Sequence, residues 1–200
     1  MPRVVFRSRF NQVLSIVAWV ALGAVALGTL LTPGAFTAAP GIVLGAVSGA
    51  ALVWALLWSP YVAVDDDGAE VANVLMEYRV PWAALIHVDT RYALVLHTPQ
   101  RRISATAAPA PGAMTSVRAA RAHRRSEAPT QPGVRPGELP TTDSGRAAQL
   151  VRERWHHLRD SGRIETGVAD RIPLQVRPRL TAIVAIVVGV TGLVGAILLA

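Results

Sequence analysis

The chain contains no cysteine and no lysine, and charged residues make up only 16% of its 200 residues. Without cysteine, a disulfide scaffold, a thiolate metal site and cysteine catalysis are all excluded. All 20 basic residues are arginine, which fits a GC-rich coding bias and lowers the functional weight of any single arginine. Because soluble domains usually carry about 25% charged residues, the shortage of charge predicts that part of the chain lies outside water.

Common catalytic and nucleotide-binding patterns are also missing, since the sequence has no GxSxG, no Walker loop and no GxGxxG. His87 and Asp89 would share one face of a strand, but a zinc site needs three or four converging ligands. Surface polar residues are therefore the favoured interpretation of this pair, and a weak metal site is the alternative. Glu153 and His157, four residues apart, form a helix surface pair. We predict a protein that is not an enzyme and that uses no metal and no cofactor.

Charge is absent from three long apolar runs, which are roughly residues 11–31, 41–58 and 180–200. A helix of about 21 residues rises about 31 Å, which matches a bilayer core of about 30 Å. We predict a two-helix transmembrane hairpin over 11–59 and a third transmembrane helix over 180–200. The first run is longer than the apolar part of a signal peptide, so a cleaved leader is the weaker interpretation.

The arginines predict how the chain is oriented. With three spans, all 20 fall on one side of the membrane, and four of them lie within 163–179, next to the third span. Positive residues beside transmembrane helices favour the cytoplasmic side. We therefore expect a multi-pass protein of the inner cell membrane, with the N-terminal tail (1–10) and the polar region both in the cytoplasm.

Two of the spans carry glycine at helical spacing. The second span has Gly41, Gly45 and Gly49, and the third has Gly189, Gly192 and Gly195. Faces made of small residues let membrane helices approach closely. An Ala/Gly-rich composition explains the pattern without any function. The alternative is that the two spans pack together or self-associate.

Residues 60–107 are predicted to form six short strands rich in β-branched and aromatic residues. Asp67-Gly68, between two such runs, is among the better short-range hairpin signals. We predict a small antiparallel sheet or partial barrel. So short a segment provides little core of its own, and we expect this domain to need a helix or the membrane as a lid.

Residues 108–143 are rich in Pro, Ala, Gly, Thr and Arg and have few large apolar groups, so we predict a disordered linker. It contains a basic cluster of Arg118, Arg121, Arg124 and Arg125. A solvated linker is the favoured interpretation, and contact with anionic lipid is the alternative. Nucleic-acid binding is disfavoured because no stacking aromatic residue accompanies the cluster.

Residues 144–162 are predicted to form one amphipathic helix. Its apolar stripe recurs at helical spacing and consists of Ala148, Val151, Trp155 and Leu158. The stripe could cap the open sheet, lie on the membrane surface or pair with a partner, and Trp155 is its one large anchor. Residues 163–179 are expected to form the juxtamembrane segment that leads into the third span.

Three segments of the chain carry a resemblance to a known family. They are Val5-Phe6-Arg7, Pro60-Tyr61-Val62-Ala63-Val64-Asp65-Asp66-Asp67-Gly68, and Arg79-Val80-Pro81-Trp82-Ala83-Ala84-Leu85-Ile86. In this order, with two spans after the first, they resemble the small bacterial pleckstrin-homology-like (PH-like) domain proteins of actinobacterial membranes. The helix with Leu150-Val151-Arg152-Glu153-Arg154-Trp155 resembles a segment that follows that domain in the same group.

Together with the spans, the resemblance implies three transmembrane helices plus a small antiparallel β PH-like domain with one amphipathic helix. Pro81 would suit a strand edge because it lacks an N–H, Trp82 would close one end of the barrel, and Ile86 would continue its core side. Phosphoinositide-binding PH domains place basic residues around the first hairpin loop, where this chain has three aspartates (65–67). Those carboxylates would repel a phosphorylated headgroup, so we do not expect phosphoinositide binding.

We therefore predict an integral membrane protein that displays a cytoplasmic PH-like domain with a non-catalytic binding or scaffolding role. Its expected partners are the lipid bilayer and an unidentified protein, and not nucleic acid. The alternative is an accessory or regulatory subunit of a larger membrane complex, assembled through the glycine-faced transmembrane helices and the 144–162 helix.

Overall fold

The computed structural model of the protein describes residues 2–34, 37–91, 93–109, 142–165 and 167–199. The chain divides into two compact units. The β unit comprises Met1–Ser8 and Tyr61–Arg177, and the helical unit comprises Arg9–Pro60 and Pro178–Ala200. In chain order the elements are β1 (Val4–Phe6), α1 (Arg9–Leu31), α2 (Ala39–Val53), β2 (Tyr61–Val64), β3 (Gly68–Ala72), β4 (Met76–Pro81), β5 (His87–Asp89), β6 (Ala93–His97), β7 (Arg102–Pro109), α3 (Asp143–Asp160), β8 (Gln175–Pro178) and α4 (Leu180–Leu198).

The helical unit consists of α1, α2 and α4. A π-helical turn at Trp54–Trp58 extends α2. The helices Arg9–Leu31, Ala39–Trp58 and Leu180–Leu198 are each long and apolar enough to cross a membrane. They confirm the three predicted spans, and the protein is a membrane protein. Many of their large apolar side chains are exposed, as expected of helices whose outer surface meets lipid instead of water.

Polar groups inside the helical unit bond to neighbouring parts of the same unit. Trp19 Nε1 donates to Ala50 O at 3.1 Å, and the Trp19 ring centroid lies 5.3 Å from that of Trp58. Arg179 donates to the hydroxyl and to the carbonyl oxygen of Ser59, each at 3.1 Å. These contacts fix α1 against α2 and join the end of the π turn to the residue before α4.

Two sheets make up most of the β unit. Their strand orders are β1-β2-β3-β4-β8 and β5-β6-β7. The pairs β1–β2, β2–β3, β3–β4, β5–β6 and β6–β7 are all antiparallel. The six strands β2 to β7 match the six that the sequence predicts, and the antiparallel fold is confirmed.

Two strands lie in segments that the sequence did not assign to the domain. β1 falls within the expected N-terminal tail (1–10), and β8 falls within the expected juxtamembrane segment (163–179). Both stand at the outer edges of the five-stranded sheet. The physical reason is that edge strands present unpaired backbone N–H and C=O groups, which another strand can satisfy. The β unit therefore extends well beyond residues 60–107.

The amphipathic helix α3 covers the core of the β unit. Ala147, Ala148, Val151 and Leu158 are buried in one cluster with side chains of both sheets, and Trp155 packs against that cluster while partly exposed. Of the three roles left open for its apolar stripe, α3 thus takes the role of a lid. Its N-terminus is capped by Thr142, whose hydroxyl accepts the Gly145 N–H at 3.0 Å.

Candidate functional site

The first hairpin loop is held by its own backbone and by a neighbouring strand. Asp65 Oδ1 accepts the N–H of Asp67 at 3.0 Å, the N–H of Gly68 at 3.1 Å and Nη2 of Arg79 at 2.6 Å. A Cβ on Gly68 would lie 2.3 Å from the carbonyl oxygen of Val80. Only glycine therefore allows this close approach of β3 to β4, and the loop geometry is fixed by sequence.

Two arginines neutralise the acidic loop. Arg79 lies 2.6 Å from Asp65 and 4.0 Å from Asp67, and Arg154 Nη2 lies 2.9 Å from Asp66. Burial opposes ionisation of Asp65, but the hydrogen bonds from Arg79 and the backbone outweigh it and hold the pKa of Asp65 below its ordinary value. The same hydrogen bond from Arg79 to Asp65 raises the pKa of Arg79. Arg79 and Arg154 are thus both engaged by carboxylates of the loop.

Trp82 is buried beside the first hairpin loop, and its expected role in closing one end of the barrel stays a prediction. Pro81 ends β4, and a 3-10 turn at Trp82–Ala84 follows. The Trp82 side chain is buried, and its Nε1 donates to Asp65 O at 3.0 Å. The indole therefore ties the end of β4 to the first hairpin loop.

The expectation that Ile86 continues the core side is wrong, because its side chain is 54% exposed. Leu85 and Val88 are buried in its place. The 3-10 turn at Trp82–Ala84 interrupts the side-chain alternation of the strand, so Leu85 turns into the core, Ile86 is exposed, and the alternation resumes in β5 with Val88 buried. Ile86 instead contributes its backbone N–H, which donates to His97 O at 2.9 Å.

Segment 2–8, which contains β1, is anchored at one end by Glu70. Arg3 Nη2 lies 2.7 Å from Glu70 Oε1, and the Tyr61 hydroxyl donates to the same oxygen at 2.6 Å. The guanidinium carbons of Arg3 and Arg7 each lie 5.8 Å from the Tyr61 ring centroid. Burial, followed by the hydrogen bond to Glu70, raises the pKa of Tyr61, so the phenol stays a donor at neutral pH.

The other end of segment 2–8 is anchored by α3. Phe6 packs against the core cluster, and the guanidinium carbon of Arg146 lies 5.7 Å from its ring centroid. The Ser8 hydroxyl donates to Asp143, the first residue of α3. An acidic side chain therefore stands at each end of β1.

A groove of about 260 Å³ lies between the edge strand and α3. Val4, Val64, Leu150, Glu153, Arg154 and His157 line it. Its apolar residues come from β1, β2 and one side of α3, while Glu153 and His157 are exposed at its rim. Such a mixture of apolar floor and polar rim is typical of a protein-binding surface.

A second cavity, of about 200 Å³, lies over the face of the five-stranded sheet. Glu70, Glu77, Arg79, Gln175 and Arg177 line it. Its charges are mixed, and two of them, Glu70 and Arg79, also lie 3.4 Å from each other. This cavity presents no concentrated charge of either sign to a ligand.

The histidines of β5 and β6 face each other across the strand pair. His87 stands opposite His97, and their ring centroids are 5.6 Å apart. Burial, with Arg102 and His87, lowers the pKa of His97. The Asp89 carboxylate is engaged by backbone groups, because it accepts the N–H of Thr90 at 2.7 Å and that of Arg91 at 3.2 Å. Within the described ranges, no three His, Cys, Asp or Glu side chains converge on a metal position.

The six glycines of the second and third spans lie where helices meet inside the helical unit. On α2, Gly41 and Gly45 face Ala196 of α4, while Gly49 faces Leu22 of α1. On α4, a Cβ on Gly189 would lie 2.7 Å from Leu52 Cγ, one on Gly192 would lie 2.2 Å from Ser48 Oγ, and one on Gly195 would lie 3.5 Å from Leu44. The sequence left open whether the glycines reflect composition, self-association or packing of the second span on the third. The arrangement matches packing of the second span on the third.

The predicted basic cluster of Arg118, Arg121, Arg124 and Arg125 lies outside the described residues. The ion pairs of Arg79 and Arg154 were not predicted. A signal for the Arg79 pair was available, since the short connection at residues 73–75 favours pairing of β3 with β4, and this pairing places Glu70 directly opposite Arg79. No local signal could bring Arg154 to Asp66, because 88 positions separate them in the sequence.

The two small antiparallel sheets, the lid helix and the apolar helices define a class of protein, a membrane protein with a PH-like domain. Residues 59–154 match the family model described as "Bacterial PH domain". The chain therefore carries a bacterial PH domain, and the resemblance to PH-like proteins is confirmed, while an actinobacterial origin stays a prediction. No curated protein and no solved structure matches the chain.

Proposed function

We propose that the protein is a non-catalytic binding protein, anchored in the inner cell membrane, whose PH-like domain captures a protein partner at the cytoplasmic side. The coarse description, a membrane protein with a bacterial PH domain, comes from the three apolar helices and the family match. PH domains are generally non-catalytic, which supports a binding role.

The ion pairs of the first hairpin loop are the observation that favours a protein ligand over a phosphoinositide. A loop that receives a phosphorylated headgroup needs cations free to meet it. Here Arg79 and Arg154 are ion-paired to the carboxylates of that loop. This arrangement supports a protein ligand over a phosphoinositide.

The groove between β1 and α3 is the surface that we assign to the partner. It combines apolar side chains, such as Leu150, with the exposed polar groups Glu153 and His157. Desolvation of apolar area would supply affinity, and the polar rim would supply specificity.

The alternative, a subunit assembled through glycine-faced helices and α3, receives less support. The glycines of α2 and α4 meet other residues of the same chain. The apolar stripe of α3 is buried against its own sheets. Both surfaces that this alternative needed are already used inside the protein.

The cytoplasmic orientation rests on the arginine count. All 20 arginines lie outside the interiors of the three apolar helices. A chain that crosses the membrane at all three helices would carry every arginine on one side, which supports a cytoplasmic polar region. A fluorescent reporter that folds only in the cytoplasm should stay dark when fused after residue 200, and an alkaline phosphatase fused there should be active. The reverse pattern would overturn this orientation.

Co-purification of the full chain after crosslinking in native membranes tests the binding role. We expect a stoichiometric protein that is lost on His157→Glu and retained on His156→Glu, because both histidines are exposed neighbours on α3 but only His157 lines the groove. A partner retained on both variants would contradict the assignment of the groove. Binding of the purified chain to anionic vesicles but not to neutral ones, with no protein partner, would favour lipid instead.

A further inference from the structure

The strand β1 comes from outside the part of the chain that matches the family. The match begins at residue 59, whereas β1 spans Val4–Phe6 and precedes both α1 and α2. It nevertheless pairs with β2, the first strand of the matched region, with Val4 opposite Val64 and Phe6 opposite Val62. A separate segment of the chain has therefore added a strand to the edge of the PH domain.

The contacts of segment 2–8 are those of a bound peptide. Extended peptides bind sheet edges through backbone pairing for affinity and through side-chain anchors for specificity. Here the anchors are Arg3 on Glu70, Phe6 on the core cluster beside Arg146, and Ser8 on Asp143. The charges are complementary at the Arg3 end, where Glu70 meets the guanidinium, while at the other end Asp143 accepts the Ser8 hydroxyl.

The attachment of this segment is slight compared with that of the inner strands. β1 pairs over three residues, and one of them, Val5, has a side chain that is 48% exposed. Short elements with few buried apolar contacts open at low free energy while the rest of the domain stays folded. The groove beside Val4 also leaves space at the same edge.

We propose that the edge of β2, together with α3, is a strand-addition site for an extended segment of basic–apolar–apolar–aromatic–basic pattern. Segment 2–8 occupies this site as an intramolecular ligand, so a partner carrying such a segment binds by displacing it. The proposal rests on the proposed role of the domain as a protein-binding module, and it adds the kind of segment recognised and the contact that blocks it. When β1 leaves, Val64 of β2 and the α3 residues of the groove remain, and only Val4 is replaced by the partner.

A competition experiment on the full chain in detergent micelles tests the proposal. The probe is a fluorescently labelled peptide with the sequence of residues 2–8, and its binding is followed by fluorescence polarisation. The variant Arg3→Glu/Phe6→Ala weakens the tethered segment and leaves every residue of the site intact. We expect it to bind the probe at least about tenfold more tightly than the unmodified chain, since tenfold corresponds to about 1.4 kcal/mol of lost competition.

The control probes are a scrambled peptide and a peptide with the substitutions Arg3→Glu and Phe6→Ala. We expect neither to bind the variant chain. Equal binding of the intended probe to both chains would overturn the proposal, and so would absence of binding to a variant whose β5–β7 amides keep their protection from hydrogen exchange.

If the variant unfolds, hydrogen exchange on the unmodified chain tests the proposal independently. We expect amides of β1 to exchange faster than those of β3, and excess unlabelled peptide to speed exchange within residues 2–8. Protection of β1 equal to that of β3, unchanged by peptide, would overturn the proposal. These readouts need no natural partner, so they can fail while the co-purification succeeds, or succeed while it fails.

Discussion

The helical unit and the β unit of this protein reach close packing in opposite ways. In the helical unit, α2 and α4 approach each other at glycine residues, which have no side chain. A Cβ on Gly189 would lie only 2.7 Å from Leu52. In the β unit, the sheets and α3 meet through side chains that fill the space, among them Leu94, Leu96 and Val151.

The difference follows from the solvent of each unit. Lipid is as apolar as leucine, so burying leucine between membrane helices gains little, and close backbone approach through glycine gains more. In water, removing a large apolar side chain from solvent is the main source of stability. The same residue exchange should therefore have different effects in the two units.

The largest effect is expected from shrinking the core of the β unit. Leu96 is fully buried, and Leu96→Ala should destabilise the unit by about 2–5 kcal/mol through lost burial and the cavity left behind. Hydrogen exchange in micelles should be at least about 30-fold faster in β5–β7, because each loss of about 1.4 kcal/mol raises the population of the open state about tenfold. Leu75→Ala, at an exposed turn position, should leave exchange unchanged. An equal effect in α2 and α4 would mean that the two units do not fold separately.

The next effect is expected from adding volume to the helical unit. Gly189→Leu should cost about 1–3 kcal/mol, because the new side chain collides with Leu52 and with the carbonyl of Ser48. Faster exchange should appear in α2 and α4 and not in β2–β7. Gly28→Leu is the matched control, since nothing lies within 4 Å of its Cβ position. If both variants were equally destabilised, glycine packing would not hold these helices together.

An effect of similar size is expected from removing one cation of the β unit. Arg79→Met leaves Asp65 without its closest cation, while Glu70 keeps Arg3. One uncompensated, partly buried carboxylate should cost about 1–3 kcal/mol. Thermal unfolding of the full chain in micelles measures this loss. Arg159→Met, which removes an exposed pair with Asp160, should cost at most about 1 kcal/mol. Equal losses would show that the Arg79 pairs carry no structural role.

The smallest effect is a dependence on pH at the first hairpin loop. Because the folded-state pKa of Asp65 lies below the ordinary value of 3.8, its stabilisation is fully present above pH 3.8 and is lost as pH falls through the lower folded-state pKa. The difference in melting temperature between the unmodified chain and Asp65→Asn should therefore shrink on acidification. A difference that stays constant across this pH range would refute the assigned ionic role.

Sequence patterns predicted much of the fold because the relevant signals are local. Charge-free runs of sufficient length indicated the three helices, and β-branched runs around Asp67-Gly68 indicated the strands. The site was harder to predict. Ile86 is exposed and Leu85 is buried because a 3-10 turn precedes them. The partners of Arg79 and Arg154 depend on strand pairing and on the docking of α3.

The sequence by itself determined which segments avoid water, because an unbroken apolar run has no other stable environment at that length. It also determined the hairpin at Asp67-Gly68, because this dipeptide between two β-rich runs favours a tight turn. Only the tertiary structure decided that Val4–Phe6 becomes an edge strand of a domain that begins more than 50 residues later. The periodicity of apolar residues in a sequence predicts which face of a segment is buried, but not which distant strand it pairs with. That pairing depends on open backbone groups, anchor pockets and charges that exist only once the domain has folded.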